Sequence, residues 1–305
     1  MEFKTFRGMM PIMPTTITAD GEIDRDSTDR VVDYLLNAGA VAIGHLGGAS
    51  EHAKVCDEDR EILISQVVRK VNGRVPTFFG AAANNLKDTI RRAKTVEALG
   101  GDMIMLCTPP IGHSGSDDIM KYYEKVAGAV NIPIIVQDTG GSCGALTVDV
   151  IAKLIHEVEN IGYTKLEGTP DWWTKMRTMR EKYPDVTIIG GAAGKHMLQM
   201  LRMGVKAYMT GTEATEIHAA VVNAWLSGDE DLAIDLYYTT LLPYLDIYTT
   251  NNRAFLKYML HRRGIAADPR QLFPADGAPL DPYMAEELNW ILDRIDNNKI
   301  KCERH

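Results

Sequence analysis

Ile161-Gly162-Tyr163-Thr164-Lys165-Leu166-Glu167-Gly168 is a short apolar run bounded by glycines, with one lysine set inside it. Such a run reads as a buried strand. A lysine held there is desolvated, which disfavours the ammonium and frees the amine to attack a carbonyl. That is what a Schiff-base nucleophile requires. Position alone leaves a second reading open: a barrel lysine tied to Glu167 or another carboxylate, because buried lysines are rare and usually paired.

Outward from this run, strand-like and helix-like segments alternate. Met9 to Thr16 is apolar and followed by the turn signal Asp20-Gly21, and Arg25 to Asn37 carries helical periodicity. The rhythm repeats through Val41 to Ile43 and the helix Asp57 to Val71, then Pro76 to Ala81 and Leu86 to Leu99. Met103 to Cys107 leads to helix Asp117 to Val130, and Ile132 to Val136 to helix Val148 to Val158. After the Lys165 strand come Pro170 to Lys182, Val186 to Ile189, Lys195 to Met203 and Ala207 to Met209. Eight β-then-α units in roughly 225 residues predict a parallel α/β barrel of the TIM (β/α)8 type. The strands are apolar throughout, as expected when both faces are buried.

The rhythm stops near Ser227. Glu230 to Tyr248, Asn252 to Arg263 and Tyr283 to Ile295 read as helices with no strand between them, and the polar end from Asp296 to His305 reads as frayed. The expectation is a barrel over residues 1–228 and a helical C-terminal extension over 229–305.

Composition narrows the function. At 45% hydrophobic and 24% charged, the 305 residues describe an ordinary globular protein. A net charge of −8 argues against a nucleic-acid partner. No apolar run approaches the ~20 residues that span a bilayer, and Met1 to Arg7 lacks the apolar core of a signal peptide. Cys56, Cys107, Cys143 and Cys302 are scattered without metal-ligand spacing, so a reduced, cytoplasmic setting and no metal or cofactor are expected.

A strand-six lysine in a barrel with appended helices resembles the dihydrodipicolinate synthase/N-acetylneuraminate lyase family of Schiff-base enzymes. The likeness spans nearly the whole chain. Gly8 to Thr16 resembles the family's opening strand, and Gly47-Gly48-Ala49-Ser50-Glu51 with Val55 to Arg60 resembles its second-strand loop and following helix. Lys165 follows Gln137 by 28 residues, which matches the family's tyrosine-to-lysine interval. The departures are as informative. The strand-five tyrosine is Gln137, the loop threonines are Gly48 and Ala49, the second relay tyrosine is Ile111, and the arginine that grips a dicarboxylate is Ser142. A glutamine amide has no accessible ionisation, so proton transfer must move to another group. Val136-Gln137-Asp138, Ser50-Glu51, Lys165-Leu166-Glu167 and Met209-Thr210-Gly211 resemble the L-2-keto-3-deoxyarabonate dehydratase-like branch.

The resemblance implies a lyase acting on a 2-keto-3-deoxy sugar acid, with a small 2-keto acid as its partner and a homotetramer built as a dimer of dimers around the Pro109-Pro110 loop. Lys165 and Glu167, two apart on a strand, face the same way. Glu167 is therefore the candidate base at C3, unless it only neutralises Lys165. Gln137 orients the substrate or a water. Gly48, Ala49 and Ser50 are candidates for holding the substrate carboxylate at the barrel face where such sites lie, with Asp138, Gly191 and Thr210 as further binding residues. Glu51 anchors its loop, and His113 is a solvated loop histidine. The glycine-rich loop Ile189 to Lys195 suits either a phosphate or a sugar-acid chain. Dehydration is the favoured outcome; retro-aldol cleavage to pyruvate and an aldehyde, and a non-catalytic keto-acid binder, are the alternatives.

Overall fold

The computed structural model describes residues 1–108, 115–139, 145–167, 171–248, 252–276 and 280–297. The Pro109-Pro110 loop with Ile111 and His113, the positions Ser142 and Cys143, and the end of the chain from residue 298 lie outside the described residues.

Eight parallel strands form one sheet: β1 (Gly8–Met9), β2 (Ile43–His45), β3 (Thr77–Gly80), β4 (Met103–Cys107), β5 (Ile134–Asp138), β6 (Ile161–Leu166), β7 (Ile188–Gly190) and β8 (Ala207–Tyr208). From β2 to β8 each strand pairs with its sequence neighbour, and β1 pairs with β8. The seam between β1 and β2 is closed by Val41 N–H to Met9 O at 2.8 Å and Met13 N–H to Gly44 O at 2.8 Å. The strand expected over Met9 to Thr16 is shorter because Pro11 and Pro14 have no N–H to give. Ile12 keeps isolated bridges to Gly44 and Gly211.

Helices α1 (Arg25–Asn37), α2 (Asp57–Val71), α3 (Leu86–Ala98), α4 (Ser116–Ala127), α5 (Val148–Glu157), α6 (Trp172–Lys182), α7 (Met197–Arg202) and α8 (Thr215–Leu226) follow the strands in turn. Their starts are written in the sequence. Asp24, Asn85 and Thr147 accept backbone N–H groups at the heads of α1, α3 and α5. α2 opens on Asp57, Glu58 and Asp59 and closes on Arg69 and Lys70, in line with the helix dipole. The core lies in two layers. Met10, Phe78, Met105, Ile135, Tyr163 and Ile189 belong to the cluster that fills the barrel, and a larger cluster packs strands against helices.

Among the described residues four helices follow the eighth unit: α9 (Glu230–Leu236), α10 (Leu242–Tyr248), α11 (Asn252–Arg262) and α12 (Pro282–Asn297). The single helix expected from Glu230 to Tyr248 is continuous, but its turn at Tyr237–Leu241 is widened to a π-helix. Pro243, just beyond, cannot donate to the preceding turn. No helix among the described residues is long and apolar enough to cross a membrane.

Candidate active site

Strand register sets the site. Cys107, Gln137, Lys165 and Ile189 are partners across β4 to β7, so they form one row near the carboxyl ends of the strands. Alternation then sorts their neighbours. Lys165 points inward and is 4% exposed. Glu167, two residues on, brings Oε1 to 3.0 Å from Lys165 Nζ. Gln137 donates from Nε2 to the other oxygen, Glu167 Oε2, at 2.7 Å. The Ala192 N–H donates to Oε1 at 3.5 Å.

These contacts fix the state of Glu167. Burial alone would raise its pKa, but the Lys165 ammonium and the Gln137 amide outweigh it and hold the carboxyl below its ordinary value. Glu167 is therefore an ionised carboxylate paired with Lys165, the contact that the ion-pair reading of this lysine expected. Gly191 makes the approach possible: a Cβ there would lie 2.5 Å from Glu167 Cγ. Past it the loop turns through positive φ at Ala192 and Ala193, 51° and 56°, a strained path for residues with side chains.

A cavity of about 220 Å³ opens above this row. Gln137, Thr139, Lys165, Glu167, Met209 and Thr210 line it from the strand ends, and Gly48 and Ala49 from the loop after β2. Ile12, Ala193 and Gly211 add to this side, and the C-terminal helices contribute Tyr248 from α10 with Arg253 and Leu256 from α11. Larger hollows lie beside Trp173 and Arg202 and around Phe273, but neither contains the buried lysine. At 220 Å³ the space is below the ~300–1,000 Å³ of drug-sized sites, so it suits a small molecule. Among the described residues no group of three or more His, Cys, Asp or Glu side chains is placed to hold a metal.

Three expected binding residues stand differently. Asp138 follows inward-facing Gln137, so it faces out of the barrel. There it forms a buried ion pair with Lys175 of α6 and accepts the Leu146 N–H at 3.0 Å, away from the cavity. Ser50 is fully buried and structural. Its hydroxyl donates to Met13 O at 2.5 Å and accepts the Gly47 N–H at 3.2 Å, which holds the loop that presents Gly48 and Ala49. Gly191 contributes room for Glu167 rather than cavity wall. Gly48, Ala49 and Thr210 do line the cavity. Glu51, as expected, anchors its loop: its carboxylate is 2.8 Å from Lys257 Nζ and 3.2 Å from Lys54 Nζ, and accepts the Leu272 N–H at 2.9 Å.

Tyr248, Arg253 and Leu256 were not foreseen from the sequence. Nothing in their helical surroundings marks them, because their role depends on how α10 and α11 fold back over the barrel mouth. Arg253 Nε donates to Gly48 O at 3.2 Å, and its guanidinium also pairs with Asp276.

An eight-stranded parallel barrel with a buried lysine and carboxylate at its strand-end mouth is the arrangement of one group of α/β enzymes. Residues 5–293 match the model of the dihydrodipicolinate synthetase family, and the chain belongs to that family. It is 29% identical over 300 residues to an L-2-keto-3-deoxyarabonate dehydratase of Azospirillum brasilense, covering 95% of this chain and 94% of the relative. It is 25% identical over 297 residues to YagE of Escherichia coli K12, named as a candidate 2-dehydro-3-deoxy-D-gluconate aldolase, covering 95% and 97%. The crystal structure of YagE in complex with pyruvate superposes with a TM-score of 0.87 at 24% identity, covering 96% of this chain and 99% of that one.

Proposed function

We propose that the chain is a Schiff-base-forming lyase that dehydrates a 2-keto-3-deoxy sugar acid of the pentonate type. The observation that carries this reading is Glu167 held between Lys165 and Gln137 at the foot of a small cavity. Lys165 attacks the C2 carbonyl and water leaves, giving an iminium that draws electrons from C3. Glu167, ionised and beside the lysine, removes a C3 proton to form an enamine. Gln137 orients Glu167 through its amide and has no proton of its own to lose. The electrons then return through C2 and C3 to form C3=C4 as the C4 hydroxyl departs as water. Hydrolysis of the iminium releases the unsaturated keto acid and restores Lys165.

The substrate carboxylate sits against the N–H groups of Gly48 and Ala49. These open a 3-10 turn and have no acceptor within it. Ser50 supports that turn from behind, and Thr210 closes the strand-eight side. Asp138 has no part in binding, since its carboxylate belongs to Lys175. The helices from residue 229 onward form an extension to the barrel at 1–228, and the assembly is a homotetramer; a concentration-independent monomer in light scattering would contradict the last point.

A second reading, retro-aldol cleavage giving pyruvate and an aldehyde, is favoured by the name of the Escherichia coli relative and by its complex with pyruvate. A non-catalytic keto-acid binder is the third. One experiment separates them. The protein is incubated with a panel of 2-keto acids with and without borohydride, the adducts are weighed and the products identified. The expected result is an adduct on Lys165 and an unsaturated keto acid without pyruvate. Pyruvate release would establish the aldolase, an adduct without turnover the binder, and an adduct on another lysine would end the imine reading.

A further inference from the structure

Dehydration asks for a second proton-transfer group that the steps above leave unassigned. The C4 hydroxyl is a poor leaving group unless an acid protonates it, and the base at C3 is already ionised Glu167. The cavity wall narrows the choice among the described residues. Lys165 is committed to the imine. Gln137 has no ionisable proton, Arg253 does not deprotonate, and Thr139 and Thr210 carry weakly acidic aliphatic hydroxyls, that of Thr210 already donating to Gly211 O at 2.9 Å. Tyr248 remains.

Its surroundings suit the task. The ring is fixed by aromatic contacts with Tyr244 at 5.8 Å and Phe255 at 5.6 Å between centroids. Behind it lies a buried carboxyl, Glu213. Its Oε1 accepts the Tyr244 hydroxyl, and its Oε2 has no hydrogen-bond partner among the described residues. The Glu213 carboxyl rests directly on Gly211, a residue of the cavity wall: a Cβ on that glycine would collide with both oxygens. Burial, and the negative fields of Glu213 and Glu167, push the Tyr248 phenol up and keep its proton on. A phenol so held keeps its proton and can donate a hydrogen bond to the departing oxygen, although the same shift weakens it as an acid; it is not the base that a retro-aldolase needs at the C4 hydroxyl.

We propose that Tyr248, carried to the barrel mouth by the C-terminal helices, is the acid that protonates the departing C4 hydroxyl. The inference rests on the imine reading of Lys165. The step balances: the enamine electrons form C3=C4, the C4–O bond breaks with its pair, and the Tyr248 proton completes water. The proton that Glu167 took from C3 then restores the phenol, so the cycle releases water and no other group.

The test compares the wild type with Tyr248→Phe on a 2-keto-3-deoxy-pentonate and on its 4-fluoro analogue, whose fluoride leaves without protonation. Tyr248→Phe is expected to keep borohydride trapping on Lys165 and C3 deuterium exchange. It loses ~10²–10⁴-fold in water elimination, the range of general acid catalysis, and keeps fluoride release within a few-fold of wild type. Wild-type water elimination by the variant would overturn the assignment, as would loss of trapping, exchange and fluoride release together, which marks a structural role. A wild type that traps no keto acid removes the imine reading, and the Tyr248 assignment falls with it.

Discussion

Lys257 Nζ lies 2.8 Å from Glu51 Oε1, and both side chains are buried. One belongs to α11 and the other to the loop after β2, so the pair ties the C-terminal helices to the loop that presents Gly48 and Ala49. Burial pushes the Lys257 pKa down, and Glu51 works against that shift.

Removing Lys257 leaves the buried Glu51 carboxylate with Lys54, at 3.2 Å, and the Leu272 N–H as its remaining partners, and Oε1 without its cation. Lys257→Met is expected to destabilise the fold by ~3–5 kcal/mol, while Glu51→Leu together with Lys257→Met recovers much of the loss. Urea denaturation of the three variants checks this. In folded protein, Lys257→Met should also raise KM more than it lowers kcat, because the loop proposed to meet the substrate carboxylate is no longer held.

Glu167→Gln should retain imine trapping on Lys165 but stop exchange of the C3 hydrogens with solvent deuterium, with turnover down by ~10²–10⁴ or more. Near-normal turnover would move the base elsewhere.

Gln137→Leu removes a hydrogen bond that favours the charged form of Glu167. The Glu167 pKa must then rise, and since the base acts ionised, the acid limb of the exchange rate should move to higher pH. A limb that stays in place would show that Gln137 does not tune Glu167.

Gly191→Ala places a methyl 2.5 Å from Glu167 Cγ. Either the loop or the carboxylate shifts. Loss of C3 exchange with trapping preserved is the expected outcome, and a crystal structure of the variant would locate Glu167.

Burial raises the Glu213 pKa from 4.5 to about 7. The folded state therefore binds the proton more tightly than the unfolded state does. The associated stability is full below the unfolded value and is lost as pH rises through about 7. A shift of this size corresponds to roughly 3 kcal/mol. Thermal unfolding between pH 4 and 8 should show that decline, and Glu213→Gln should flatten it.

The barrel was legible because its signal is repetitive: apolar runs and amphipathic stretches recur eight times, and no single boundary decides the result. The shared face of Lys165 and Glu167 was legible because strand geometry fixes which way a side chain points once the strand is known, whereas Gln137 was picked out by the family resemblance, from its place 28 residues before Lys165. The same alternation applied to Asp138 would have placed it outside the barrel, next to Gln137 but on the opposite face. Ser50 was ambiguous for a different reason, since a serine in a tight loop serves the backbone as readily as a ligand. Tyr248 and Arg253 had no local signature. Their place in the cavity wall comes from contacts between α11 and the loop after β2, roughly 200 residues apart in the chain, and a periodic pattern carries no information about such a pairing.

The cavity is walled by two stretches of chain with separate jobs. The strand ends hold Lys165, Glu167 and Gln137, which the proposed mechanism sets at carbons two and three of the substrate, while α10 and α11 supply Tyr248, Arg253 and Leu256. With Tyr248 held constant, the rest of that wall can therefore be exchanged without touching the lysine. Grafting residues 242–262 from a relative, with Tyr248 kept, should retune which sugar acid is accepted and leave borohydride trapping on Lys165 in place, whereas a chain ended after strand eight would lose the Tyr248, Arg253 and Leu256 part of the cavity wall.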